Sequence, residues 1–293
     1  MPSPEMQVFD TPAGMRSWSL GRRAAGSRIV LVPTMGALHE GHLALIHEAH
    51  RRGDAVVVSI FVNPLQFNRS DDFDAYPRPI EADLAACSAA GVHAVYAPRA
   101  STMYPPHFQT HIEPGALAEP LEGSGRPGHF RGVVTVVNKL FGAVQPQIAV
   151  FGQKDFQQLA VVRQMVSDLD MGIEIIGLPT VRELDGLAMS SRNRRLTTTQ
   201  RAAATCIARA LQVAADMFER GERSAPAIAA GAAGCVQAEP EARLEYLQLV
   251  DPDTLQPLEH LEHVEREPLV VVAVWFGEVR LIDNRLLTGT RSA

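Results

Sequence analysis

A doubly wound α/β fold, with a mostly parallel sheet ahead of a smaller α+β domain, is what this sequence predicts. Three observations carry that reading. Apolar runs such as Ile29-Val30-Leu31-Val32 and Ala55-Val56-Val57-Val58 are continuous, as in strands buried on both faces. Strand-like and helix-like segments alternate at least four times before residue 180. After Pro179 the texture changes to Ala-rich helices followed by strands. The boundaries that follow are 1–180 for a Rossmann-like domain and 181–293 for a smaller C-terminal domain.

In chain order, residues 1–27 are weakly patterned, with a short helix over Ala13 to Arg23. The first strand is 28–33 and a helix covers 41–52. A second strand, Ala55 to Val62, ends at the polar loop Asn63-Pro64-Leu65-Gln66-Phe67, and Asp71 to Tyr76 reads as an acidic loop. Ile80 to Ala90 has helical spacing and Val92 to Ala97 reads as a short strand. Residues 98–129 are irregular, with one strand expected at Thr110 to Glu113 and a mobile, lid-like loop over the Gly-rich run Glu122 to His129. Phe130 to Val144 reads as a helix, although Val133 to Val137 is equally a strand by propensity. Strand 148–151, a turn at Gly152-Gln153-Lys154-Asp155, helix 156–169 and strand 173–178 complete the first domain. Beyond the Arg-rich loop Met189 to Arg195, helices are expected over Thr198 to Arg220 and Ala225 to Gln237. Strands follow at 244–250, 269–276 and 279–284.

Composition narrows the class. Hydrophobic content of 46% and charged content of 20% are those of a globular protein. A formal net charge of −6 argues against a general binder of nucleic acid or membrane surfaces. The longest apolar run, Leu269 to Phe276, is far short of the roughly 20 residues that span a bilayer. Cys87, Cys206 and Cys235 form no CxxC pair, and the N-terminus shows no basic and apolar leader, so a soluble cytoplasmic protein is expected. Of the 27 basic residues only Lys139 and Lys154 are lysines. An arginine-favouring coding bias explains the scarcity, and under it a surviving lysine marks a place where a compact ammonium is needed.

The first functional signal is Pro33-Thr34-Met35-Gly36-Ala37-Leu38-His39-Glu40-Gly41-His42, set where a strand turns into a helix. Backbone N–H groups and the helix dipole gather anions at such a turn, and Gly36 and Gly41 permit close approach of the chain. Out of context a histidine pair at this spacing is more often ordinary surface or core histidine, and a zinc site would need further ligands. Asn63 and Gln66, and Lys154 with Asp155, also follow strands, so three loops point to one edge of the sheet. Lys154 opens a helix, a place for phosphate or simply for a solvated charge. Ser190, Ser191 and Arg192 offer hydroxyls and a guanidinium to a polyphosphate. Gln66 and Gln158 are surface amides or readers of substrate hydroxyls and carboxylates.

Six ordered blocks carry a resemblance. They are Pro33 to Leu43, Ser59-Ile-Phe-Val-Asn-Pro-Leu-Gln-Phe67, Asp74-Ala-Tyr-Pro-Arg78, His129-Phe-Arg-Gly-Val133, Phe151-Gly-Gln-Lys-Asp-Phe-Gln-Gln-Leu159 and Leu187-Ala-Met-Ser-Ser-Arg-Asn193. Over residues 28–200 the chain resembles the pantoate–β-alanine ligase family of H-x-G-H nucleotidyltransferases. The resemblance implies ATP-dependent formation of an amide: pantoate and ATP give pantoyl adenylate and pyrophosphate, then β-alanine displaces AMP. It further implies that Met35, Gly36, Ala37, Leu38, His39, Glu40, Gly41 and His42 line the ATP, with His42 the catalytic histidine and His39 beside it. Gly152, Gln153, Lys154, Asp155, Val181, Met189, Ser190, Ser191 and Arg192 would complete the nucleotide site, Val181 at the adenine and Lys154 and Arg192 in the chemistry. Gln66 would meet pantoate and β-alanine, Gln158 pantoate, and Asn63 the substrates. Mg2+, a homodimer and a lid role for residues 181–293 come with the family. Some members carry adjacent carboxylates at the position of Asp83 that are assigned to the metal; here Ala82 precedes it, which leaves Asp83 a weakened metal candidate. Rival readings are a nucleotidyltransferase that keeps the nucleotide in its product, and a non-catalytic nucleotide-binding regulator.

Overall fold

A computed structural model describes residues 6–68, 73–261 and 266–288; the Asp71 and Asp72 part of the expected acidic loop lies outside them. The chain divides into two compact units, Met1–Gln153 with Gln157–Pro179, and Lys154–Phe156 with Thr180–Ala293.

The first unit is built on six parallel strands: β1 (Gln7–Phe9), β2 (Ile29–Thr34), β3 (Ala55–Ile60), β4 (Ala94–Tyr96), β5 (Ile148–Gly152) and β6 (Glu174–Leu178). Their order is β1-β4-β3-β2-β5-β6. The helices are α1 (Pro12–Ala24), α2 (Glu40–Arg52), α3 (Ile80–Ala89), α4 (His129–Val144) and α5 (Phe156–Asp168), besides isolated single turns. Alternate residues of the central strands serve two cores, as the two-residue strand period requires. Leu31 and Val57 pack with Met15 of α1, Val134 and Phe141 of α4 and Val162 of α5. Val30, Val32, Val56 and Val58 pack with Ile46 and Ala49 of α2 and Cys87 of α3. Burial on both faces explains why these strands read as unbroken apolar runs. The chain winds outward from β2 through β3 to β4, then returns to start β5 on the other side of β2. The carboxyl ends of β2 and β5 therefore flank the topological switch point, where ligands bind in open α/β sheets.

The second unit holds α6 (Thr198–Ala203), α7 (Cys206–Glu219), α8 (Ala225–Gln237) and an antiparallel sheet of β7 (Arg243–Val250), β8 (Leu269–Phe276) and β9 (Val279–Leu286) in that order. Its core is separate, formed by Ile207, Leu211 and Phe218 of α7, Ile228 of α8 and Val270, Val272 and Val274 of β8.

The helix expected over Phe130 to Val144 is present as α4, and Val133 to Val137 lies within it because packing overrides β propensity. Other local expectations change. Thr110 to Glu113 is not a strand; its Ile112 N–H is taken by the Thr135 hydroxyl of α4 at 3.1 Å. The run from Glu122 to His129 contains a helical turn, Glu122–Gly125, with Glu122 buried and its N–H bonded to Gln157 Oε1 at 3.0 Å. The helix expected over Thr198 to Arg220 breaks between Ala203 and Cys206, where the Thr205 hydroxyl donates to the Ala202 carbonyl at 2.8 Å and competes with the helical ladder. The short edge strand β1, paired with β4, had too few residues to show a period.

Candidate active site

Thr34 closes β2 and starts the turn: its hydroxyl donates to the Ser59 carbonyl at 2.8 Å and accepts the Gly36 N–H at 3.1 Å. Gly36 and Ala37 then take left-handed φ values of 79° and 50°. The N–H groups of Ala37 and Leu38 meet the Oδ2 and Oδ1 of Asp83, on α3, each at 2.8 Å. His39 is the N-cap of α2, with its Nδ1 accepting the Gly41 N–H at 3.2 Å, while His42 Nδ1 accepts the His39 N–H at 3.3 Å. The two histidines form a reciprocal capping box, with ring centroids 4.1 Å apart.

This arrangement revises how the turn handles anions. The amides of Gly36, Ala37, Leu38, His39 and Gly41 bond within the protein, as does that of His42, which donates to the His39 carbonyl at 2.8 Å. The expected cradle of backbone N–H groups is thus largely filled. Each Nδ1 is an acceptor, so each neutral ring carries its proton on Nε2, and two N–H donors stand at the head of the helix.

A second network lies one strand over. After β3, a 3-10 turn at Pro64–Gln66 is capped by Asn63, whose Oδ1 accepts the Leu65 N–H at 3.3 Å and the Tyr104 hydroxyl at 2.8 Å. Asn63 Nδ2 donates to Gln66 Oε1 and to the Gly132 carbonyl, each at 3.0 Å. Gln66 Nε2 in turn donates to Met35 Sδ at 3.1 Å, which ties this network to the turn after β2. Asn63 and Gln66 are both buried. Burial with the amide orientation fixed on both sides is what a reader of a small polar substrate needs. Gln158 sits half-buried on α5, and among the described residues no hydrogen bond links it to this network.

Gly152 closes β5 at the switch point and is followed by Gln153. In the second unit, Lys154 and Ser190 line one cleft together with Leu187, Asn193, Leu281 and Asp283. The Lys154 carbonyl accepts Asn284 Nδ2 at 2.8 Å, and its Nζ lies 3.9 Å from the outward-facing Asp155. Ser190 caps the 3-10 turn Ser191–Arg195 by accepting the Arg192 N–H at 3.2 Å. Met189 N–H bonds the Val181 carbonyl at 3.0 Å, so Val181, expected at the adenine, and Met189, expected in the ATP site, are held side by side. Asp283, almost fully buried, receives Arg182 at 2.6 and 3.1 Å and stiffens the cleft wall.

Some supporting residues went unassigned in the sequence. His129 Nδ1 donates to the Gln66 carbonyl at 2.8 Å, Arg126 donates to the same oxygen at 3.1 Å, and the Arg126 guanidinium lies 3.2 Å from His129 Nε2. A guanidinium has only donors, so His129 is the Nδ1–H tautomer. Gly132 lets α4 back onto the Gln66 turn: a Cβ there would meet Leu65 and lie 2.8 Å from the Gln66 nitrogen. The block His129 to Val133 was the available signal, but sequence gives it no partner. Gln157, beside Gln158, is structural, with Nε2 donating to the carbonyls of Leu117 and Pro120 at 2.9 and 2.7 Å. Lys139, the second lysine, lies with Nζ 5.0 Å from the Phe108 ring centre and 5.9 Å from that of Tyr104, and burial lowers its pKa. Among the described residues no three His, Cys, Asp or Glu side chains are grouped to hold a metal ion, and no helix is long and apolar enough to cross a membrane.

Comparison with known proteins fits this geometry. A family model described as pantoate-beta-alanine ligase matches residues 7–286. The chain is 50% identical to a pantothenate synthetase of Trichlorobacter lovleyi, over 97% of this chain and 100% of that one. It is 48% identical to the Moorella thermoacetica pantothenate synthetase, over 96% and 99%. Its fold is similar to the crystal structure of a Thermus thermophilus pantothenate synthetase, with a TM-score of 0.89, 44% identity and coverage of 96% and 99%. A Francisella tularensis pantoate-beta-alanine ligase, described as complexed with beta-gamma ATP and beta-alanine, gives a TM-score of 0.78 at 34% identity, with coverage of 96% and 97%. The histidine capping box at the switch point, the buried amide pair behind it and a match running nearly end to end lead to one conclusion: the chain belongs to the pantoate–β-alanine ligase family.

Proposed function

We infer that this chain joins pantoate to β-alanine at the expense of ATP, through a pantoyl adenylate. The observation that carries the reading is the His39–His42 capping box at the carboxyl end of β2, which occupies both Nδ1 atoms and leaves Nε2 as the N–H of each neutral ring. The pantoate carboxylate attacks the α-phosphorus, the bond to pyrophosphate breaks, and the acyl group becomes an electrophile. The β-alanine amine then attacks the acyl carbon and AMP leaves. In such a transfer the protein positions the groups and stabilises charge, and does little covalent work. His39 and His42 donate to phosphate oxygens as charge builds on the leaving pyrophosphate. Lys154 and Arg192 add fixed positive charge. Gln66 and Gln158 hold pantoate, with Asn63 fixing Gln66; Gln66 also lies by the β-alanine position, and residues 35–42, 152–155, 181 and 189–192 accommodate ATP. Asp83 already accepts a backbone amide on each oxygen, and Mg2+ would come to the reaction on the ATP phosphates and waters. A cytoplasmic homodimer, with residues 181–293 acting as a lid, belongs to the same reading.

The test is exchange of labelled pyrophosphate into ATP in the presence of pantoate and the absence of β-alanine. Pantoate-dependent exchange is expected. Folded protein that shows none overturns the adenylate route, and exchange that needs no pantoate points instead to a different nucleotidyl acceptor.

A further inference from the structure

Asp83 sits in the first turn of α3, 3% exposed, and its carboxylate reaches across to the turn after β2. Each oxygen takes one amide at 2.8 Å, Oδ2 from Ala37 and Oδ1 from Leu38. The two amides turn to the same side because Gly36 and Ala37 are consecutively left-handed, with φ values of 79° and 50°. That makes a small anion hole in the backbone, and the carboxylate fills it. The fit leaves no slack: a Cβ on Gly36 would lie 2.8 Å from Asp83 Oδ2 and 3.1 Å from Ile60 Cγ2. Leu38 is the residue just before the N-cap, so the bond to Leu38 N–H fixes the entry of the chain into the His39–His42 capping box.

We propose that Asp83 is a positioning residue for the reaction: its carboxylate clamps the Gly36–Leu38 turn, and through it the two histidines, and it is not a ligand of Mg2+. Ala37 is not a glycine, and a left-handed alanine persists only where the surroundings hold it. Two charge-assisted hydrogen bonds, donated by the Ala37 and Leu38 amides to a buried carboxylate, supply that hold. A metal ion would have to share oxygens already aimed at two desolvated amides, with the alanine Ala82 as the preceding neighbour. An amide cannot stand in for the carboxylate, since its NH2 group would face one of the two N–H donors.

The proposal rests on the ligase reading, and its test separates the two. Asp83→Asn is expected to lower the turnover of pantoate-dependent exchange by about 10- to 100-fold, the range for a misplaced catalytic group. The Mg2+ concentration giving half the maximal rate, and the KM for pantoate, should stay at the wild-type values. A several-fold rise in that Mg2+ concentration, with the rate rescued by excess metal, would overturn the clamp, as would a wild-type rate. A second measurement needs no variant and no activity. Mn2+ alone, added to the labelled wild-type protein, should leave the Ala37 and Leu38 amides and the Asp83 carboxyl carbon unbroadened in NMR spectra. Their broadening at low Mn2+ would put the metal on Asp83 and end the proposal. Absence of exchange in the wild type, with those signals unbroadened, would sink the ligase reading and leave the clamp standing.

Discussion

In the His39–His42 pair, the capping bonds use Nδ1 of each ring, and the proposed catalysis would use Nε2. Nδ1 accepts a backbone N–H in both residues, so a proton placed there would cost a helix-capping bond, and the neutral ring is left with its donor at Nε2. The two jobs can be separated. Asparagine at position 42 keeps a short side-chain oxygen that can accept the His39 N–H, but it has nothing in place of Nε2–H. His42→Asn is therefore expected to melt close to the wild type. Its exchange rate should fall by about 100-fold or more, the scale of losing one donor to a developing charge. Wild-type exchange in a folded His42→Asn protein would remove the ring from the chemistry; collapse of the fold would show that the imidazole is needed for the cap itself. The sequence shows residues 33–42 as the likeness to an H-x-G-H signature and as a turn ahead of a helix. It does not show that the Ala37 and Leu38 amides are already satisfied, because the group that satisfies them, Asp83, stands on α3, remote in sequence.

At the scale of elements, α4 was expected as a helix over Phe130 to Val144 and is one, but what it packs on was not legible. Val133, Val134, Val136 and Val137 are all buried, and their β-branched side chains made that stretch equally a strand by propensity. The close contact between α4 and the Pro64–Gln66 turn was hidden, since a glycine inside a helix says only that something comes near. Here what comes near is the Leu65 and Gln66 backbone. Gly132→Ala should then push the turn away, at a cost of about 1–3 kcal/mol as in other overpacked sites. The Gly132 carbonyl also holds Asn63, so the KM for pantoate should rise together with the loss of stability. Urea unfolding and a pantoate titration check both at once, and a midpoint unchanged from the wild type would mean that α4 does not press on the turn. The blocks around Gln66 and His129 were thus both legible as motifs, but their mutual contact is a product of packing between distant segments.

For the whole molecule, the alternating strands and helices of the first unit were legible because its central strands are apolar throughout, and α1 and α2 carry side-chain N-caps. In the second unit the helix over Ala225 to Gln237 and the three strands were legible too, while the long expected helix missed the break at Thr205, where a hydroxyl bonds the Ala202 carbonyl. Charge is distributed over both units, and it sets how the molecule responds to acid. In the first, the side chains of Arg52 and Arg51 hold the Glu48 carboxyl below its ordinary range. In the second, hydrogen bonding from Arg201 lowers Asp185, and the same guanidinium meets Glu183 at 2.6 Å. Both carboxyls bind a proton less readily in the folded than in the unfolded chain. The unfolded state therefore carries more bound protons near pH 4, and stability rises with pH there. The contribution is complete above the ordinary carboxylate range and is lost as pH falls through the lowered folded values. Glu48→Gln and Asp185→Asn should each lower the urea midpoint at pH 7. The Asp185 effect should be no more than ~1 kcal/mol, because that pair is partly exposed and screened by salt. At pH 3 the gap to the wild type should narrow in both. Glu48 and Asp185 belong to separate units with separate cores, so the losses in the double variant should add if unfolding is two-state. A gap that stays as wide at pH 3 as at pH 7 would show that packing around these side chains, and not their charge, accounts for the loss.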